Sequence, residues 1–251
     1  MRMLQPFHRH QLVSPSISTR VLLGLGGAVN KMWLKYCTAL YVYNQHYLEL
    51  SLARKHQPLI SACNHSATLD DPILFGLLPW STLLDAKNMR WSLGAKEICF
   101  TNAFTSWFFT VGQVLPIIRG DGIYQPAMNQ AVNLLDNNRW VHIFPEGRVN
   151  QAETMLRFKW GIARLVMDSK TPPLVLPFYH TGMQHMVPLS QHYPNPMKKI
   201  VLAFGKPIDF RSYSFEKSIT NEEQRIRITK RIQDEVERLK LFVDQSLDVA
   251  K

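Results

Sequence analysis

Short, almost continuously apolar runs alternate along the chain with segments whose apolar residues recur at helical spacing. The apolar runs predict β-strands at residues 59–63, 114–118, 140–144, 174–178 and 200–204. The segments between them predict helices at residues 72–78, 104–111, 124–136 and 158–168. Strands buried on both faces form unbroken apolar runs, and helices connect such strands in parallel sheets. The predicted fold class is therefore α/β, a single domain with a mostly parallel sheet flanked by helices.

A long C-terminal helix is predicted over about residues 222–243. Its apolar positions keep a helical period, at Ile228, Ile232, Val236, Leu239 and Val243. One apolar stripe on an otherwise charged helix is typical of an amphipathic helix that docks on its own domain. A surface for a partner helix is the alternative.

The segment over residues 17–43 is apolar but interrupted by Lys31 and Lys35. A helix that crosses a bilayer needs roughly 20 predominantly apolar residues. We therefore expect a helix over about residues 17–43 that lies in the membrane interface, with its lysines reaching the headgroups. The residues expected at this interface are Trp33, Leu34, Phe75, Leu77 and Trp80.

Two further uncharged segments are too polar or too short to cross a bilayer. Residues 72–84 are broken by Pro79 and form either a second interfacial wedge or part of the core. Residues 98–118 contain several Thr, Asn, Ser and Gln residues and Pro116, which favour a buried helix, turn and strand. We expect a mobile basic N-terminus over residues 1–16, a membrane-associating helix over 17–48 and one domain over 49–251.

Composition excludes several classes of protein. Of the 251 residues, 46% are hydrophobic and 19% charged, which excludes an intrinsically disordered chain. The cysteines at positions 37, 63 and 99 form no C-x-x-C pair, so neither a disulfide framework nor a zinc ribbon is predicted. The histidines lack metal-ligand spacing, and no metal or cofactor is predicted.

The net charge of +10 points to an anionic partner, either nucleic acid or an anionic membrane surface. The first acidic residue is Glu49, so the preceding 48 residues carry only basic charges. A basic, acid-free N-terminus is typical of mitochondrial targeting segments. An ordinary solvated basic end is the alternative reading.

The most informative motif follows the predicted strand at 59–63. Asn64 and His65 lie in the loop, and Asp70 and Asp71 precede Pro72, which is favoured at the first position of a helix. Asp71 is predicted to cap that helix. Asp70 is close enough for its carboxylate to reach the His65 imidazole and fix its tautomer, which would make His65 a general base. A loop histidine beside a capping aspartate, with no catalytic role, is the alternative.

Three other segments place charges at the carboxyl ends of predicted strands or at a helix start. The strand at 140–144 is followed by Glu146, Gly147 and Arg148, where glycine allows close approach of a ligand and arginine can bind phosphate. The strand at 114–118 is followed by Arg119, and Lys159 lies at a predicted helix start that could meet an anion. Ordinary surface ion pairs and solvated basic residues are the alternative for each.

Together and in this order, the segments resemble the glycerolipid acyltransferase family over about residues 58–207. The matching blocks are Asn64-His65 with Asp70, Gly112 to Arg119, Phe144-Pro145-Glu146-Gly147 and Val175-Leu176-Pro177. The resemblance implies an acyltransferase domain with a catalytic dyad of His65 and Asp70. It also implies a site for the glycerophosphate group of the acceptor, with the substrate-binding residues Asn64, Arg119, Glu146, Gly147, Arg148 and Lys159.

Two departures from the broad family pattern narrow the resemblance. The third block continues as Arg148-Val149-Asn150, and the first block carries a doubled aspartate before Pro72. These features resemble one subgroup of mitochondrial, CoA-independent phospholipid–lysophospholipid transacylases. The resemblance implies cardiolipin and phosphatidylcholine as substrates, no cofactor, and peripheral attachment to mitochondrial membranes that face the intermembrane space.

Two alternatives to this function remain open from the sequence. An acyl-CoA-dependent lysophospholipid acyltransferase would have the same blocks, and a non-catalytic membrane-binding protein could retain them as a vestigial site. The intact His65, Asp70 and Glu146 argue against the vestigial reading. No recognition motif supports a nucleic-acid partner, and the oligomeric state is not predicted.

Overall fold

The computed structural model describes residues 15–190, 193–213, 216 and 218–248. The predicted mobile N-terminus lies almost wholly outside these residues. Within them, eight strands form one sheet. The strands are β1 (Thr38–Tyr43), β2 (Leu59–Ala62), β3 (Trp91–Ala95), β4 (Val114–Ile117), β5 (Trp140–Ile143), β6 (Leu174–Thr181), β7 (Lys198–Phe204) and β8 (Ile208–Asp209).

Helices precede, connect and follow these strands. They are α1 (Ile17–Tyr36), α2 (Gln45–Leu52), α3 (Asp70–Leu77), α4 (Trp80–Leu83), α5 (Lys96–Cys99), α6 (Ala103–Val111), α7 (Pro126–Asp136), α8 (Gly161–Asp168), α9 (Met183–Met186) and α10 (Asn221–Asp248). All the strands and helices predicted after residue 58 are present, with ends shifted by a few residues.

The sheet has the strand order β1-β7-β6-β2-β5-β3-β4, and β8 pairs with β6. Strand β6 runs antiparallel to β7 and β8, and the other neighbouring strands are parallel. The predicted α/β domain with a mostly parallel sheet is confirmed. The parallel strands β2, β3, β4 and β5 therefore end at one edge of the sheet, where sites of α/β proteins form.

Apolar layers cover both faces of the sheet. Alternate residues of β2 show the division, since Ile60 belongs to the layer under α7, α8 and α10, and Leu59 to the layer under α1, α2 and α4. The apolar stripe of α10 is buried in the first layer, as predicted, and Ile228, Ile232 and Val236 are fully buried. Burying such a side chain stabilises a fold by roughly 1.5–3 kcal/mol, so the stripe anchors α10.

The prediction of one helix over residues 17–43 is wrong beyond Tyr36. Helix α1 begins after Ser16, whose side chain caps Thr19, and it ends at Tyr36. Residues 38–43 instead form β1, which pairs in parallel with β7. The sequence of β1 is rich in β-branched and aromatic residues, which favour strands. The predicted membrane segment at 17–48 therefore includes an edge strand of the main sheet.

Helix α1 packs on the domain through small residues. A Cβ on Gly76 of α3 would lie 2.1 Å from Cδ1 of Leu34, so only glycine allows this approach. Leu34 is only 5% exposed. Its predicted place at the membrane interface is wrong, because it fills the contact between α1 and α3.

Two further expectations need correction. Helix α3 begins at Asp70, so Asp71 lies in its first turn and does not cap a helix that starts at Pro72. Residues 98–118 form helices and a strand, but α6 contains no buried residue. None of the helices in the described ranges combines the length and apolar character that crossing a bilayer requires.

Candidate active site

The carboxyl ends of β2, β4 and β5 surround one cavity of about 430 Å³. Strand β2 leads to His65, β4 leads to Arg119, and β5 leads to Gly147, and all three residues line the cavity. Lys159, which precedes α8, lies in the same wall, and its other polar residues are Thr68, Asp71, Ser92 and Gln125. The rest is mainly apolar and includes Leu93, Ile98, Phe109, Ile117, Ile123 and Met128. The cavity therefore combines an imidazole, two cationic side chains and the Asp71 carboxylate with space for a hydrocarbon chain.

His65 and Asp70 form the predicted pair. Nδ1 of His65 lies 2.9 Å from Oδ2 of Asp70, whose side chain is fully buried. The same oxygen accepts hydrogen bonds from the backbone N–H groups of Ser66, at 2.6 Å, and Ala67, at 2.9 Å. An ionised carboxylate only accepts hydrogen bonds, so Nδ1 carries the proton and Nε2 is left with a free lone pair. This is the arrangement of a general base.

The His65 ring is held on a second side by Phe144. The two rings are stacked, with centroids 4.0 Å apart and planes 15° apart. Phe144 directly follows β5, so the segment that leads on to Glu146 also supports the imidazole. Packing and the Asp70 hydrogen bond together restrict the ring to one orientation.

Glu146 binds the protein backbone and is only 3% exposed. Its Oε1 accepts from the backbone N–H of His65 at 3.0 Å, and its Oε2 accepts from the N–H of Leu156 at 3.0 Å and from Asn150 Nδ2 at 3.2 Å. These bonds satisfy buried donors at the point where two loops meet. Glu146 is not part of the cavity wall, and its predicted contact with substrate is replaced by a role in holding the His65 loop.

Asn64 is likewise turned toward the protein interior. Its Oδ1 accepts from the backbone N–H of His180 at 3.0 Å, and its Nδ2 donates to the His180 carbonyl at 2.9 Å. Asn64 is buried and is not part of the cavity wall, so its predicted role in substrate binding is also corrected. The paired bonds tie the loop after β2 to the neighbouring strand β6.

The predicted cationic residues differ in position. Arg119 and Lys159 line the cavity, whereas Arg148 is exposed and lies outside its walls. Arg119 Nε lies 3.3 Å from Oε1 of Glu97, in an ion pair exposed to solvent. The Lys159 side chain passes over Gly147, where a Cβ would lie 2.7 Å from Lys159 Nζ. The φ of Gly147 is +73°, so both the close contact and the backbone conformation require glycine.

Sequence reasoning missed the partner of Asp71. Arg90 is buried, its guanidinium lies 2.5 Å from the Asp71 carboxylate and donates to the Asp71 carbonyl, and it stacks on the ring of Phe75. Ser92 Oγ donates to the same carboxylate. The cluster fixes the first turn of α3 beside the cavity. No spacing in the sequence indicates this pair, because Arg90 and Asp71 come from separate strand–helix units.

A buried histidine lies behind the His65 ring. His142 packs edge-on against Phe144, and its Nδ1 lies 2.9 Å from Ser61 Oγ. Burial is the main cause that lowers the pKa of His142 to about 3, so this ring is neutral. Cys63, which could be mistaken for a nucleophile, is buried nearby, and burial raises the pKa of its thiol. Neither the His142 imidazole nor the Cys63 thiol therefore supplies a charged group for a reaction.

The predicted membrane contacts are mostly turned inward. Besides the buried Leu34, the side chains of Trp33, Phe75 and Leu77 are partly buried and pack against the core. Trp33 Nε1 contacts Met186 Sδ at 3.3 Å. Only Trp80, at 51% exposure, is open to solvent.

The face of α1 opposite to the one that packs on the domain is apolar and exposed. We call it the α1 stripe, and its members are between 52% and 82% exposed: Ile17, Val21, Leu25, Val29, Met32 and Tyr36. Helix α6, which contacts α1, exposes Phe104, Trp107 and Phe108 as well. Side chains spaced by three or four positions share one helix face, so the correct stripe was visible in the sequence.

The fold and the site define an acyltransferase. The family model for the acyltransferase domain matches residues 40–181, and the chain belongs to this family. A 1-acyl-sn-glycerophosphate acyltransferase, PlsC, from Thermotoga maritima shares the fold, with a TM-score of 0.60 at 22% identity over 88% of this chain and 79% of that one.

Within the family, the chain is homologous to tafazzins. It is 41% identical to a tafazzin of Dictyostelium discoideum over 70% of this chain and 64% of that protein. It is 34% identical to a tafazzin of Drosophila melanogaster over 83% of this chain and 57% of that protein. It is also 41% identical, over 61% of this chain and 56% of the other, to an N-acylphosphatidylethanolamine synthase of Arabidopsis thaliana. The chain thus spans less than two thirds of the length of these relatives.

Proposed function

We propose that this protein is a phospholipid–lysophospholipid transacylase that remodels cardiolipin and needs no CoA. The observation that carries the proposal is the 2.9 Å hydrogen bond between His65 Nδ1 and the buried Asp70 carboxylate, at a cavity with both cationic and apolar walls. Homology to tafazzins supports the substrate class.

In this mechanism the dyad moves one proton in each direction. Nε2 of His65 takes the proton from the free hydroxyl of a lysophospholipid as that oxygen attacks the acyl ester of a donor phospholipid. The tetrahedral intermediate collapses by breaking the ester bond, and the imidazolium returns its proton to the departing oxygen. General-base catalysis of this kind contributes about 10²–10⁴-fold to a rate.

The two cationic wall residues suit a phosphodiester headgroup. Arg119 and Lys159 both reach the cavity, and guanidinium and ammonium groups bind phosphate oxygens by charge-assisted hydrogen bonds. The apolar wall formed by Leu93, Ile117 and Met128 then receives the acyl chain. One end of the cavity would hold the polar headgroup while the reacting ester lies near His65.

The α1 stripe gives the protein a surface for lipid. Exposed apolar area of this kind, on a protein with a net charge of +10, suits attachment to an anionic bilayer in the plane of the interface. We place the protein on mitochondrial membranes facing the intermembrane space, as its sequence resemblance implies. Protease protection of the protein in intact and outer-membrane-ruptured mitochondria tests this location.

An amide-forming reaction is a second candidate. It is favoured by the 41% identity to the Arabidopsis N-acylphosphatidylethanolamine synthase. The same dyad could take a proton from the ethanolamine nitrogen of a lipid headgroup. A third candidate keeps the hydroxyl acceptor but takes the acyl group from acyl-CoA.

The acceptor is tested by competition in one vesicle. Purified protein is incubated with acyl-labelled phosphatidylcholine and equal amounts of lysocardiolipin and phosphatidylethanolamine. The expected result is label in cardiolipin that mild alkali releases, because the acyl group is then bound as an ester. Alkali-stable label in the ethanolamine lipid would instead assign the amide-forming reaction.

Glu97 is expected to weaken headgroup binding by pairing with Arg119. Glu97→Gln frees the guanidinium, so the KM for an anionic lysophospholipid should fall about two- to five-fold with kcat unchanged, since exposed ion pairs contribute up to roughly 1 kcal/mol. Glu216→Gln is the matched control, because Glu216 pairs with Arg227 in another exposed ion pair. Equal KM values for both variants would show that Arg119 does not bind the headgroup.

A further inference from the structure

We propose that His180 is a positioning residue that holds the Asp70 carboxylate in place for His65. The catalytic pair is then part of a three-residue chain, His65–Asp70–His180. The inference deepens the proposed acyl transfer and rests on it for the kinetic part of its test. His180 itself does not line the cavity.

The contacts of the His180 ring identify its tautomer. Nε2 lies 3.5 Å from Asp70 Oδ2 and 3.2 Å from the carbonyl oxygen of Asn64. Both neighbours are acceptors, so Nε2 must carry the proton and is shared between them. Nδ1 is buried and has no hydrogen-bond partner in the part of the chain that the structure describes. The ring therefore directs its single N–H toward the loop that carries the dyad.

The backbone of His180 is fixed to the same loop. Strand β6 pairs with β2 in parallel, and the side chain of Asn64 closes two hydrogen bonds with the His180 N–H and C=O, at 3.0 and 2.9 Å. These bonds set the height of His180 on β6 relative to Asp70. They also indicate a structural role for Asn64, because its side chain joins the two chain segments that carry the three-residue chain.

Burial favours the neutral form of the His180 imidazole. Burial is the main cause that lowers its pKa, and the nearby His65 lowers it further, whereas Asp70 and Glu146 act in the opposite direction. A neutral imidazole supports the carboxylate through its N–H dipole and adds no positive charge to compete with the imidazolium that His65 forms during transfer. A lysine or arginine at this position would add such a charge.

Asp70 depends on such support because its side chain is fully buried. Oδ2 faces His65 Nδ1, the Ser66 and Ala67 N–H groups and His180 Nε2, while Oδ1 has no hydrogen-bond partner among the described residues. All the support for the carboxylate is therefore on one oxygen. Without the His180 N–H, the Asp70 carboxylate is less well oriented. It also binds the imidazolium form of His65 more strongly, because one competing N–H donor is gone.

The test compares His180→Leu, which removes the donor, with His180→Gln, whose side-chain amide N–H can replace Nε2–H. For His180→Leu, kcat should fall about three- to tenfold, because a single 3.5 Å N–H contact to the carboxylate is lost, with the KM for lysophospholipid unchanged. The acid limb of its kcat–pH profile should move to higher pH. His180→Gln should recover most of kcat and the profile of the unchanged protein.

A measurement independent of turnover separates this inference from the proposed function. The Nδ1–H proton of His65 is followed by NMR and assigned by its loss in His65→Ala. It should broaden by exchange with water in His180→Leu and persist in His180→Gln, whichever acyl transfer the protein performs. If His180→Leu does not fold, His180→Asn replaces it, because the shorter amide cannot reach Asp70.

Three results would overturn the inference. Equal loss of kcat in the Leu and Gln variants, with an unmoved pH profile, would reduce His180 to a packing residue. Unchanged kcat in His180→Leu would remove it from the mechanism. An unaltered Nδ1–H signal in the variant without a donor would show that Asp70 holds His65 without help. Absence of acyl transfer in the unchanged protein would count against the proposed function alone.

Discussion

His65→Ala is expected to lower acyl transfer by about 10²–10⁴-fold, the contribution of a general base, while the fold and vesicle binding are retained. The reason is that Nε2 of His65 is the proton acceptor at the cavity, held by Asp70 and by stacking on Phe144. The fold should tolerate the change because the imidazole lies at the cavity wall. Initial rates with labelled donor lipid in vesicles provide the measurement.

His185→Ala is the matched control, since His185 is exposed and its side chain lies outside the cavity walls. Its rate should equal that of the unchanged protein. Asp70→Asn should resemble His65→Ala in direction, because an amide can no longer hold the tautomer that leaves Nε2 free. Wild-type turnover in His65→Ala would remove the dyad from the mechanism.

Placing two negative charges on the α1 stripe is expected to abolish stable vesicle binding. In the double variant Leu25→Glu with Val29→Glu, each substitution gives up the burial of an aliphatic side chain in lipid, about 1.5–3 kcal/mol, and adds repulsion from anionic headgroups. The combined effect is a loss of at least about 100-fold in the partition coefficient. Sedimentation with anionic vesicles measures it, and circular dichroism checks the fold.

The control for this variant adds the same charges on the exposed face of α10, as Ile226→Glu with Leu241→Glu. Both residues are exposed on the helix that covers the other face of the sheet. The control should bind vesicles nearly as well as the unchanged protein, apart from the general weakening that added negative charge causes. Equal loss in both double variants would show that net charge, and not the α1 stripe, governs attachment.

The sheet after residue 58 was predictable because its strands are buried on both faces. A strand such as Trp140–Ile143, buried at every position, gives a short run in which His142 is the one polar residue. The edge strand Thr38–Tyr43 escaped prediction for the converse reason. Only Thr38 of its six residues is buried, so its apolar residues continued the pattern of α1, and only its β-branched and aromatic content distinguished it.

The dyad was predictable because its two residues are five positions apart, His65 in the loop after β2 and Asp70 at the start of α3. Its supports were not, since Asp71–Arg90 and Asp70–His180 join residues from separate strand–helix units. Glu146 shows a different limit. Its place at a strand end indicated a site residue, but whether the carboxylate faces substrate or backbone depends on which N–H groups the fold leaves unpaired.

The most direct test of the central claim is acyl transfer in the absence of CoA. Purified protein is mixed with acyl-labelled phosphatidylcholine and lysocardiolipin in vesicles, with and without added CoA, beside His65→Ala. Label entering cardiolipin at the same rate in both conditions, and only with intact His65, is the predicted result. Transfer that requires acyl-CoA as donor, or that persists in His65→Ala, would contradict the account.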